Sequence, residues 1–72
     1  MALSCTDLVK IVQAGGGLII DSKKYSATDV IKIANASNEK SPITLKNAAY
    51  FSTSDLIRIA NAGKGNVFFE LP

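Results

Sequence analysis

The 72-residue sequence has no histidine and no tryptophan, and only one cysteine, one methionine and two prolines. Without histidine the usual zinc constellations are excluded, and a cysteine nucleophile would have no imidazole as its base. A single cysteine, Cys5, excludes an internal disulfide framework and points to a reducing compartment. Glu39 and Glu70 are the only glutamates, and alongside the capping aspartates Asp7, Asp29 and Asp55 no carboxylate pair is spaced for acid-base work. No segment approaches the ~20 apolar residues that span a bilayer. Met1-Ala2-Leu3-Ser4 lacks the basic start and long apolar stretch of a secretory signal, so a soluble, cytoplasmic protein without membrane contact is expected. The formal charge of +2 is too small to argue for nucleic acid by itself. The chain forms one domain, residues 1–72, close to the size at which one core barely suffices and an oligomer contact matters.

What is present is a threefold internal repeat. Thr6-Asp7-Leu8-Val9-Lys10-Ile11-Val12-Gln13-Ala14 aligns with Thr28-Asp29-Val30-Ile31-Lys32-Ile33-Ala34-Asn35-Ala36 and with Ser54-Asp55-Leu56-Ile57-Arg58-Ile59-Ala60-Asn61-Ala62. The aspartates lie 22 and then 26 residues apart, a period typical of stacked units that cannot bury their apolar faces alone. Each copy opens with a serine N-cap, Ser4, Ser26 or Ser52, and an aspartate three residues later, a shortened capping box facing the positive end of the helix dipole. Leu3 with Leu8, Tyr25 with Val30, and Phe51 with Leu56 stand at the two positions of a hydrophobic staple. Gly15 to Gly17, Ser37-Asn38 and Gly63-Lys64-Gly65 read as the three helix stops.

Each helix is followed by a β-rich run: Leu18-Ile19-Ile20, Ile43-Thr44-Leu45-Lys46 and Val67-Phe68-Phe69-Glu70-Leu71. The expected fold is α/β: three helix-strand repeats, spanning about residues 3–21, 25–46 and 51–71, with a three-stranded, mainly parallel sheet backed by helices on one face. Leu18, Ile20, Ile43, Leu45, Val67 and Phe69 should point at the helices, leaving Ile19, Thr44 and Phe68 with Asp21, Lys46 and Glu70 on the other face. The segment Ile43-Thr44-Leu45-Lys46-Asn47, followed by a loop and a helix, resembles the strand-to-helix layout of leucine-rich repeats. That resemblance implies a parallel α/β solenoid that acts through protein interaction.

An open sheet face carrying Ile19, Thr44, Phe68 and Glu70, with two open edges, makes self-association the leading expectation. Face-to-face packing or edge-to-edge extension would serve, a homodimer being the simplest form and another protein the alternative. A second candidate is the matched basic stripe Lys10, Lys32 and Arg58, joined by loop residues Lys23 and Lys24, which suits a nucleic-acid phosphate backbone. The aspartate three residues before each stripe member offsets that field. The loops Asp21-Ser22-Lys23-Lys24-Tyr25 and Lys46-Asn47-Ala48-Ala49-Tyr50-Phe51 follow strand ends where small ligands commonly bind, but their helix starts already hold carboxylates. The glycine clusters run from helix to strand, the reverse of a phosphate-binding loop, and Asn35-Ala36-Ser37 is a sequon within a helix. Cys5 lies in the first capping segment, where a helix N-terminus lowers a thiol pKa, but with no histidine as its base it reads as a small half-buried side chain. No catalytic constellation, cofactor or metal is expected.

Overall fold

Serine caps set the three helix starts. In the computed structural model, which describes residues 3–71, Ser4, Ser26 and Ser52 are extended and their hydroxyls accept from the amides of Asp7, Asp29 and Asp55, each at 3.2 Å. Each such cap contributes about 1 kcal/mol. The helices are α1 (Cys5–Gln13), α2 (Ala27–Ala36) and α3 (Thr53–Gly63). Met1, Ala2 and Pro72, included in the single-domain assignment, lie outside the described residues.

The helix stops differ in detail from the sequence expectation. Gly15 takes a φ of +104° after α1, and α2 ends at Ser37 in extended backbone, as expected. At the third stop Gly63 is still helical and the left-handed position is taken by Lys64, at φ 51°. The glycine is needed one residue earlier for a different reason: a β-carbon at Gly63 would run into the Val67 side chain as the chain turns into the next strand.

Three four-residue strands follow the helices: β1 (Leu18–Asp21), β2 (Ile43–Lys46) and β3 (Val67–Glu70). They form one parallel sheet in the order β1-β2-β3, with Ile19 beside Thr44 beside Phe68, and Asp21 beside Lys46 beside Glu70. Helix α2 carries the chain from β1 to β2 and α3 from β2 to β3, while α1 packs against α2 and α2 against α3. A 3-10 turn, Ala48–Tyr50, precedes α3 and buries Ala48.

The core lies between the two layers. Leu8, Val12, Val30, Ile33, Ala34 and Ile59 of the helices meet Ile20, Ile43 and Leu45 of the strands, with Leu18, Val67 and Phe69 half-buried beside them. Strand alternation therefore points these residues at the helices and leaves the opposite sheet face without a covering layer among the described residues. None of the described helices is long and apolar enough to cross a membrane.

Candidate interaction surface

Two parallel rows run across the uncovered sheet face. The first joins Ile19, Thr44 and Phe68; Ile19 is 74% exposed, Phe68 is 59% exposed, and Thr44 is half-buried between them. The second joins Asp21, Lys46 and Glu70, so a cation stands between two carboxylates, the favourable order for cross-strand neighbours. All four expected surface residues, Ile19, Thr44, Phe68 and Glu70, thus share one face. Parallel sheets are almost always covered on both sides, which makes this bare face unusual.

A groove of about 230 Å³ borders that face at the outer edge of β1. All four β1 residues line it, together with Leu8 of α1 and Lys24 and Tyr25 of the following loop. It is smaller than the roughly 300 to 1,000 Å³ typical of small-molecule sites. The Tyr25 hydroxyl donates to the Leu3 carbonyl at 2.7 Å, holding the segment before α1 against this loop.

Asp21 organises the loop end of the groove. Its Oδ1 accepts from the Lys23 amide at 3.0 Å and from Asn47 Nδ2 at 3.1 Å, and its carbonyl accepts from the Lys24 amide at 3.0 Å. The Lys23 amide and then the Asn47 amide hold its carboxyl below the ordinary value, helped by the lysine charges and opposed by partial desolvation. A depressed carboxylate contributes stability that is present above the unfolded pKa, about 3.9, and is lost as pH falls through the lower folded value. Asp21→Asn should therefore lower the melting temperature at neutral pH, with the difference from the parent vanishing in strong acid. Thermal melts from neutral to strongly acid pH check this; a difference that persists in acid would contradict it.

The basic candidates divide into two groups. Lys10, Lys32 and Arg58 are exposed at matching positions of three adjacent helices, whereas Lys23 and Lys24 are exposed in the loop after β1. Cys5 is half-buried, as the sequence suggests. Burial first, and then the nearby Asp29 charge, push its thiol up rather than down, and its Sγ donates to the Asp29 carbonyl at 3.5 Å. A helix N-terminus lowers a thiol pKa only where the sulfur stays solvated, and this one is half-buried between α1 and α2. No group of side chains suited to a metal ion occurs among the described residues.

Comparison with protein-family models, with curated proteins and with solved structures finds no match for this chain. The surface itself carries the functional argument.

Sequence reasoning missed the groove and the exposure of five further apolar side chains, Leu3 (50%), Ile11 (37%), Tyr50 (65%), Ile57 (55%) and Leu71 (64%). Ile11 and Ile57 occupy repeat positions that elsewhere in the chain are covered. The repeat was the signal that could have found them, because the first and last units of a stack each lack one neighbour.

Proposed function

We propose that this protein is a non-enzymatic interaction and assembly module that associates with copies of itself through its open sheet, in a reducing, cytoplasmic setting. The row Ile19-Thr44-Phe68 carries the reading. Two large apolar side chains project from the two outer strands of one sheet face, on either side of Thr44, a surface that solvent penalises and a partner would cover. Sedimentation equilibrium over a wide concentration range tests it. A mass that rises with concentration supports the proposal, and a monomer throughout overturns it.

A second reading, nucleic-acid binding through Lys10, Lys32, Arg58, Lys23 and Lys24, has one observation in its favour: the three helical cations are exposed in register on successive helices. Salt-dependent binding to a DNA or RNA duplex would support it, and no binding at low salt would remove it.

A further inference from the structure

Equivalent positions of the three repeats differ in burial in a directional way. Ile33 and Ile59 are fully buried, but their counterpart Ile11 in α1 is 37% exposed. In the opposite sense, Val12 and Ala34 are fully buried, but their counterpart Ala60 in α3 is exposed. Val9 and Ile31 are half-buried, whereas Ile57 is 55% exposed. The sheet behaves alike: Leu45 is fully buried and Phe69, one strand on, only half. A repeat position is thus covered by the adjacent unit, the preceding one for the Ile11 class and the following one for the Ala60 and Ile57 class. The first unit lacks a neighbour on one side and the last unit on the other.

The two bare flanks fit each other. Resting on the self-association reading, we infer that copies join head to tail, with β3 of one protomer pairing in parallel beside β1 of the next and α3 packing against the partner's α1. The backbone agrees with this. The Leu18 and Ser22 amides donate into β2, to the Pro42 and Lys46 carbonyls at 3.2 and 3.0 Å, so Ile19 and Asp21 between them turn their amides outward. The Ile43 amide donates to the Asn66 carbonyl at 2.9 Å, so at the other edge Val67 and Phe69 face outward. Continuing the register of the sheet sets Phe68 of one protomer beside Ile19 of its partner. The partner's Ile19 amide then meets the Val67 carbonyl, its Ile19 carbonyl meets the Phe69 amide, and its Asp21 amide meets the Phe69 carbonyl. Val67 and Phe69 enter the groove beneath Leu8, while Ile57 and Ala60 lie against the partner's Ile11. The contact repeats the one already formed twice inside the chain, between the first and second units and between the second and third.

Such an interface is heterologous: it leaves the same two flanks bare at the ends of every oligomer, so assembly proceeds to open chains rather than stopping at a two-fold dimer. One pair opposes it. Glu70 comes beside the partner's Asp21, and like charges directly opposite are unfavourable, which keeps the contact weak. Removing that charge with Glu70→Gln, which sets no like charge beside Lys46 of the same protomer, should strengthen association by up to about fivefold. Weaker association would contradict the register.

Cysteine cross-linking tests the arrangement. In a Cys5→Ser background, Ile19→Cys and Phe68→Cys are made separately, mixed in equal amounts and mildly oxidised. Adjacent strands bring paired residues within disulfide range, whereas inside one protomer β2 separates the two positions by about twice the strand spacing. Head-to-tail pairing gives the mixed disulfide as the dominant product, against about half of the product for random collision, and each variant alone stays uncross-linked. Dominant like-with-like disulfides would show a two-fold interface and overturn the head-to-tail order while leaving self-association standing. An oligomeric parent with no disulfide in any mixture would overturn it as well. A parent protein that sediments as a monomer at all concentrations would remove the underlying reading too.

Discussion

Ile33→Ala will leave the protein largely unfolded at room temperature. Ile33 has no exposed surface and belongs to the core cluster on the central helix, so its truncation removes buried methyl groups and leaves a hole that the surroundings fill only in part. The cost for such a change is about 2 to 5 kcal/mol. A domain of this size rarely has more than about 3 to 5 kcal/mol to lose. The control is built into the repeat: Ile11→Ala changes the same residue type at the same position of α1, where the side chain is already 37% exposed. It should cost about 1 kcal/mol or less, as partly exposed sites do. Urea titrations of the two variants measure the difference, and equal midpoints would contradict the assignment of neighbour-dependent burial.

Phe68→Asp should have the opposite profile, with the fold kept and association weakened. Phe68 is 59% exposed on the uncovered face, so a carboxylate there stays hydrated in the monomer and changes stability by about 0.5 kcal/mol or little more. In the head-to-tail oligomer the same carboxylate replaces the phenylalanine that packs beside the partner's Ile19. Losing that cross-strand apolar pair, about 0.2 to 1 kcal/mol, weakens association by up to roughly fivefold. The melting temperature at low concentration and the mass at high concentration read the two effects separately. Unchanged association with unchanged stability would show that Phe68 is a solvated side chain with no part in assembly.

These contrasts show which parts of the molecule a sequence can reveal. Helix starts were legible because a serine cap and its aspartate act within four residues, and all three caps form as written. Strand direction was legible because a helix joins each strand to the next, which calls for parallel pairing, and the two sheet faces followed from the two-residue period of side chains along each strand. Local patterns could not distinguish Ile11 from Ile33, which lie in near-identical segments and differ only in whether another helix stands beside them. The same holds for Gly63: its need for glycine comes from the Val67 side chain that a β-carbon there would meet, while Lys64 and Gly65 take the positive φ values. The Asp21–Asn47 hydrogen bond joins residues 26 apart, and it exists because the parallel register brings two strand ends together. The open face was therefore readable, while the flanks that complete the candidate surface needed the packed structure.

The most direct test of the assembly account is a dilution series followed by amide NMR on the parent protein. Head-to-tail assembly gives concentration-dependent shifts on β1 and β3, centred on Ile19 and Phe68, and on the outer flanks of α1 and α3 at Ile11 and Ile57, with α2 unmoved. Amide signals that stay fixed across the series, or shifts centred on α2 and the Lys10, Lys32 and Arg58 positions, would contradict it.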